Sequence, residues 1–119
     1  MLPKSHQKFY QQFFASLITL RDQVMMKNID SRLLSQYFQV AQEIFQDKIL
    51  ELTTESLENS VVSSWQSTQT EIYRTLRLLR TDLLFLHSSY KQKTEEQRLE
   101  SVLNHIEKLI GYCQVVLTK

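Results

Sequence analysis

The residues able to do metal or nucleophilic chemistry are few in this chain and lie far apart. Its three histidines are His6, His87 and His105, and its only cysteine is Cys113. No histidine has a histidine, cysteine or carboxylate three or four positions away, the spacings that bring side chains together on a helix. Metal sites in helical bundles use repeated Glu-x-x-His motifs, and the chain has none. The sequence therefore predicts a protein that is not an enzyme, with no catalytic residues, no metal and no cofactor.

Two isolated residues near the end of the chain each have two interpretations. Cys113 continues an apolar row, where a cysteine is either a small buried hydrophobic residue or a reactive thiol. Gly111, the only glycine, either lets another helix approach closely, for example at Trp65 or Tyr10, or is a surface residue without that role. A single glycine cannot form the glycine-rich loop that binds phosphate groups.

The composition favours one all-α domain. The 119 residues include only one glycine and one proline. Turns and sheets use these residue types often and long helices do not, so their scarcity favours helices. The length predicts a single domain, residues 1–119. A net charge of +1 gives little attraction to nucleic acid. No apolar run reaches the roughly 18 residues of a membrane span, and none resembles a signal peptide, so we expect a cytoplasmic protein with no membrane span.

Apolar residues recur at steps of three and four along the chain, which is the helical period. In the first helix, which begins near Pro3 and fades at Asn28, they are Tyr10, Phe13, Leu17, Leu20 and Val24. Asp30 is expected to cap the second helix. The apolar row of that helix is Leu34, Phe38, Ala41, Phe45, Ile49 and Leu52. A second row predicts that it contacts two neighbours; this row is Leu33, Tyr37, Val40 and Ile44.

Two longer helices follow, separated by polar connections at 53–60 and 88–93. The third, over about residues 60 to 89, has a heptad seam made of Trp65, Ile72, Leu79 and Leu86, with a partner row of Gln69, Leu76, Leu83 and Tyr90. The fourth begins at a capping box formed by Thr94 and Gln97. Four long helices with short connections predict an antiparallel four-helix bundle; a three-helix bundle with one broken element is the alternative.

Charged residues are unevenly distributed between the second and third helices. The end of the second helix is acidic, with only Lys48 opposing Glu43, Asp47, Glu51, Glu55 and Glu58. The third helix carries Arg74, Arg77 and Arg80 at steps of three. These are either two solvated faces that attract each other weakly across the bundle, or parts of a recognition surface.

Two apolar residues of the third helix lie away from its predicted core row. At about 100° per residue, Leu78 and Phe85 fall roughly 20 to 40° from Arg74, almost opposite that row. Apolar residues framed by arginines are typical of protein-binding hot spots, so we expect both to be at least partly exposed. If the third helix is instead the covered centre of the bundle, both are core. Asp82 is expected to pair with a nearby arginine or with Arg98 of the fourth helix.

The third helix also resembles that of the PatD family, small cyanobacterial proteins named for control of heterocyst frequency. The resemblance is carried by QSTQTEI at 66–72, LRLL at 76–79 and DLLFL at 82–86. Further similarity lies in EQR at 96–98, GYC at 111–113 and the opening Leu2 and Pro3, so it covers essentially the whole chain. The chain departs from the family after the third helix, where it reads HSSY at 87–90. The matching positions expected to face outward are Thr70, Glu71, Arg77, Leu78, Asp82 and Phe85.

The resemblance implies a non-enzymatic regulator that binds the tubulin-like division protein FtsZ and promotes its assembly. It implies an influence on heterocyst frequency and cell size, and a place at the division site through that partner. A homodimer with two binding surfaces could link filaments. The alternative is an adaptor that binds another signalling or transcriptional regulator of differentiation.

Overall fold

A computed structural model describes residues 3–26, 30–52, 57, 59–87 and 92–118. Its helices are α1 (Lys4–Val24), α2 (Ser31–Ile44), α3 (Asn59–His87) and α4 (Gln92–Thr118). The chain folds into the expected antiparallel four-helix bundle, 50 × 21 × 19 Å. At about 1.5 Å per residue, α3 runs most of the long dimension. None of the helices, over the residues described, combines the length and apolar character needed to cross a bilayer.

The core consists of the rows that the helical period predicts. Fully buried side chains include Tyr10 and Phe13 of α1, Ile72 and Leu79 of α3, and Ile106 of α4. Each helix therefore buries one stripe against its neighbours, and this burial is the main force holding the bundle together. Tyr90, at the end of the predicted seam, lies outside the described residues, as do positions 53–56, 58 and 88–91 within or beside the two connections.

The ends of the helices agree with the sequence in one case and differ in another. The Asp30 side chain accepts a hydrogen bond of 2.9 Å from the backbone N–H of Arg32, which confirms it as the cap of α2. The capping box predicted at Thr94 was wrong, because α4 already begins at Gln92. No glycine or proline interrupts this polar stretch, so the helix can continue through Thr94 toward its own N-terminus.

The second helix contacts both α1 and α3, as its two apolar rows predict, but it differs from a regular helix with a wide buried face in two details. It continues into a π-helical turn (Phe45–Ile49), where the Leu50 N–H donates to the Phe45 carbonyl oxygen at 2.9 Å. The second apolar row does not become a full second interface: Tyr37 and Ile44 are half-buried, but Leu33 and Val40 are exposed. The reason is that α2 and α3 have the least extensive contacts of the four adjacent helix pairs, which leaves one flank of α2 open.

Candidate partner-binding surface

The outward side of α3 carries most of the residues that the sequence identified. We call these seven residues the α3 face: Thr70, Glu71, Arg74, Arg77, Leu78, Arg80 and Phe85, all of them exposed. Leu78 is 46% exposed and Phe85 is 47% exposed. This confirms the expectation that both are at least partly exposed, and the alternative that α3 is covered on all sides was wrong.

The geometry of a single helix explains this arrangement. The buried seam of α3, with Trp65, Ile72, Leu79 and Leu83 in the core, occupies the side of the helix opposite Arg74. Because side chains of α1 meet α3 only on its buried side, through pairs such as His6 and Trp65, and α2 packs on only one flank, no other helix covers the outward half. A shallow depression of about 320 Å³ lies on this side, lined by Thr70, Tyr73, Arg74, Arg77, Leu78 and Thr81.

Asp82 does not belong to this outward surface, and its placement there was wrong. It is 7% exposed and points toward α4. The Ser101 hydroxyl donates to its Oδ2 atom at 2.8 Å, and Nδ1 of His105 lies 2.5 Å from the same oxygen. On the helical wheel Asp82 falls only about 40° from the core residue Leu86, which is the signal that could have indicated burial.

The expected partner Arg98 is present, but at the margin of an ion pair. Its guanidinium Nη1 atom lies 4.0 Å from Oδ1 of Asp82. The centre of the same guanidinium group lies 4.5 Å from the centroid of the Phe85 ring, within the range of a cation–π contact. The buried carboxylate, Arg98 and the exposed ring thus form a chain of contacts from the α3–α4 interface to the α3 face.

The serine, histidine and carboxylate of this cluster are not ordered for nucleophilic catalysis. In a catalytic triad the imidazole lies between the nucleophile and the carboxylate. Here the carboxylate of Asp82 lies between Ser101 and His105, and Ser101 donates its proton to the carboxylate oxygen. The arrangement can hold α3 and α4 together but cannot activate the serine. Sequence reasoning missed it because Asp82 and His105 lie on different helices.

Over the part of the chain that the structure describes, the acidic residues at the end of α2 form no ion pair with the arginines of α3. Among the described residues, ion pairs join Arg21 to Glu107, and Asp82 to Arg98 and His105; none involves Arg74, Arg77 or Arg80. Arg77 instead lies over the ring of Tyr73, with 6.0 Å between the guanidinium carbon and the ring centroid. Within the described residues, Arg74, Arg77 and Arg80 are therefore exposed cations outside any ion pair.

A groove runs between α2 and α3 where the two helices pack loosely. One part, about 280 Å³, is lined by the α2 and π-turn residues Gln42, Phe45 and Gln46 and by the α3 residues Tyr73, Leu76, Arg77, Arg80, Thr81 and Leu84. A second part, about 500 Å³, continues toward the start of α2, with Ser35, Phe38, Gln39, Glu43 and Leu83 in its walls. Both parts share Gln42, Gln46, Arg80 and Leu84, so we treat them as one feature, the α2–α3 groove. Nothing in the helical periodicity indicates this groove.

The remaining chemically capable residues are held in the core. Burial raises the pKa of the Cys113 thiol to about 12, so the interpretation as a buried hydrophobic residue is the one supported. Burial likewise raises the pKa of Tyr10 to about 12. His6 is buried and packs on the ring of Trp65, with 5.7 Å between the ring centroids.

Gly111 has no role in helix packing. A Cβ atom at this position would have nothing within 4 Å outside its own stretch of helix. The idea that it admits Trp65 or Tyr10 was therefore wrong, and it is a glycine in an open position on α4. It interrupts neither the helix nor the buried row on which Cys113 lies.

The chemistry that these residues support is non-covalent binding. Exposed guanidinium groups and half-exposed apolar side chains lie together on α3, on a rigid helix rather than a loop. Within the described parts of the chain, no three histidine, cysteine or acidic side chains are grouped so that they could hold a metal ion. Comparison with known proteins finds no matching family model, no matching curated protein and no matching solved structure.

Proposed function

We propose that this protein is a non-enzymatic regulator that binds FtsZ through the α3 face and promotes its assembly, as its resemblance to the PatD family implies. The observation that carries the proposal is the exposure of Leu78 and Phe85 beside Arg74 and Arg77 on one helix. Apolar side chains that are surplus to the core, and that lie next to arginines, are characteristic of binding hot spots.

The chemistry of the α3 face specifies the kind of surface that it would recognise. Arg74, Arg77 and Arg80 favour carboxylates on the partner, because guanidinium groups form strong paired hydrogen bonds with them. Leu78 and Phe85 require shallow apolar pockets. The expected FtsZ surface is therefore acidic around an apolar centre, and binding should weaken as salt concentration rises.

Contacts within the monomer favour this surface energetically. Arg98 packs on the Phe85 ring and also lies beside the buried Asp82 carboxylate. A ring already held in place loses less conformational freedom when a partner binds than a mobile one does. Asp82 therefore acts as a positioning residue for Phe85 and not as a contact residue.

A regulator that contacts two FtsZ subunits at once would promote assembly by linking them. A homodimer with two α3 faces would make both contacts, because the second contact forms at a high effective concentration. Binding of this kind would bring the protein to the division site and give it influence over cell size and heterocyst frequency.

The test is co-sedimentation of the purified protein with polymerising FtsZ. We expect wild-type protein to enter the pellet and to increase the amount of pelleted FtsZ. Arg77→Glu, Leu78→Ala and Phe85→Ala should each reduce co-sedimentation, with losses of about 2 kcal/mol for a true hot-spot residue. Wild-type protein that leaves FtsZ sedimentation unchanged would contradict the proposal.

Two matched controls come from other exposed positions. Leu33→Ala removes a leucine of similar exposure, 42% against 46% for Leu78, from α2. Lys108→Glu reverses an exposed positive charge on α4. Both should co-sediment like the wild type. If FtsZ does not bind but a lysate pull-down depends on Leu78 and Phe85, the adaptor for another regulator becomes the supported function.

A further inference from the structure

The α2–α3 groove has a basic wall on α3 and an amide-bearing wall on α2. Arg77 and Arg80 line the α3 side, and neither forms an ion pair with any described residue. Gln42 and Gln46 line the α2 side, and the described residues give their side-chain amides no hydrogen-bond partner. Cations and amide groups thus face the same open space.

The groove also has apolar surface at its rim. Leu84 is 64% exposed and Tyr73 is 45% exposed, and both line the groove. Beneath them the floor is closed by buried Phe45 and Leu76. A side chain entering here would cover apolar surface that the bundle leaves in water.

The π-helical turn contributes to the shape of this site. Such turns are rare in proteins, and those that do occur are often found at functional sites. This one, Phe45–Ile49, places Phe45 and Gln46 directly in the groove. The Gln69 side chain of α3 lies 3.4 Å from the Ile49 carbonyl oxygen, to which it donates a hydrogen bond, so the turn is tied to α3 at this end of the groove.

We propose that the α2–α3 groove is a docking site for an extended acidic peptide segment of a partner protein. The segment's carboxylates would pair with Arg77 and Arg80, and an apolar side chain would contact Leu84 and Tyr73. The groove shares only those two arginines with the α3 face, so it does not depend on FtsZ as the partner.

The amide-lined wall favours an extended segment over a helical one. An extended peptide has unpaired backbone N–H and C=O groups that need partners, and a glutamine side chain offers both a donor and an acceptor. A helix satisfies its own backbone and would need a wider apolar trough. The α2 wall runs from Ser35 to Gln46, about 16 Å at the helical rise, which matches about five extended residues.

One acidic residue of the groove allows a test of the charge that the groove prefers in its ligand. Glu43 and Arg80 line the same part of the groove. The Glu43 carboxylate accepts a hydrogen bond of 3.1 Å from the Gln39 side chain. It should repel a carboxylate of the peptide. Glu43→Gln is therefore expected to strengthen binding of the acidic peptide. A substitution that only disturbed the structure of the groove would not strengthen it.

The experiment measures fluorescence anisotropy of a labelled synthetic peptide in which glutamate and leucine alternate, with a lysine–leucine peptide as the charge-reversed probe. The full-length protein should bind the glutamate peptide and not the lysine peptide. Gln46→Glu and Arg80→Glu should each weaken binding on the order of tenfold. Backbone amide NMR shifts should concentrate at the groove positions of α2 and α3.

Val115→Ala is the control, because Val115 is an exposed residue of α4 outside both the groove and the α3 face, and its binding is expected to match the wild type. Equal binding of both peptides, or glutamate-peptide binding that Gln46→Glu does not change, would overturn the proposal, as would absence of binding. Circular dichroism spectra of each variant would check that it is folded. If the protein does not co-sediment with FtsZ, the peptide-binding result still stands. If the glutamate peptide does not bind, FtsZ binding through Leu78 and Phe85 still stands. The two proposals can therefore fail separately.

Discussion

The Nδ1 atom of His105 on α4 lies 2.5 Å from Oδ2 of Asp82 on α3. A carboxylate oxygen accepts hydrogen bonds, and Nδ1 is the imidazole atom in position to donate one to it. With Ser101 donating to the same oxygen at 2.8 Å, α4 supplies two donors to one carboxylate of α3 that is almost inaccessible to water. The polar cluster therefore sets how α3 and α4 lie against each other and supports the α3 face from beneath.

Replacement of Asp82 should destabilise the fold. Asp82→Ala removes the acceptor of two part-buried donors, and hydrogen bonds to a charged group contribute about 1.5 to 3 kcal/mol each. We expect the free energy of unfolding to fall by about 3 kcal/mol, the low end for two such bonds because both donors are only part-buried, as measured by urea denaturation. Glu71→Ala is the matched control, because Glu71 is an exposed carboxylate of the same helix. An equal loss in both variants would show that the cluster contributes nothing.

Stability should fall at alkaline pH. Burial raises the pKa of Cys113 from 9.0 to about 12 and that of Tyr10 from 10.0 to about 12. Above pH 9 the unfolded chain begins to release protons that the folded chain retains. The free energy of unfolding therefore keeps its full value below pH 9 and decreases as pH rises toward 12. Urea denaturation across this range should show the decrease, and Cys113→Ala with Tyr10→Phe should make it shallower. An unchanged slope would contradict this assignment.

Truncation of Phe45 should be among the most damaging core substitutions. Its ring is fully buried and lies 5.6 Å from the Phe13 ring, centroid to centroid. Removal of a buried phenylalanine side chain leaves a cavity and typically costs about 3 to 5 kcal/mol. We expect Phe45→Ala to lower the thermal midpoint strongly, and Val40→Ala, a change at an exposed position of the preceding helix α2, to lower it little. Comparable losses would indicate that α2 is not anchored through Phe45.

Gly111→Ala should stabilise the protein. The position is inside α4, its φ angle is not positive, and an added Cβ would contact nothing within 4 Å beyond the helix itself. Alanine is favoured over glycine in a helix interior by about 1 kcal/mol. Urea denaturation should show an increase of that size, with wild-type FtsZ co-sedimentation retained. A decrease would mean that the glycine has a packing role after all.

The helices and the core stripes could be predicted from the sequence because their cause is local. Helical period depends on neighbours three and four positions away, and this alone identified the buried rows containing Tyr10, Ile72 and Ile106. The same geometry placed Leu78 and Phe85 on the outward side of α3, since a helix that buries one stripe must expose the opposite one. The Asp30 cap was predictable for the same reason, because its hydrogen bond spans two residues.

Other features arise from where whole helices lie relative to one another, and only the tertiary structure decided them. Asp82 and His105 are 23 positions apart, and no spacing rule connects residues on different helices. The α2–α3 groove exists because α2 packs loosely on α3, and the π turn contacts α3 through the hydrogen bond that the Ile49 carbonyl accepts from Gln69. The sequence determined which side of each helix is buried, since that follows from periodicity along one chain segment. The tertiary structure determined which polar groups meet across helices and where a groove stays open, since these depend on the packing of four segments at once.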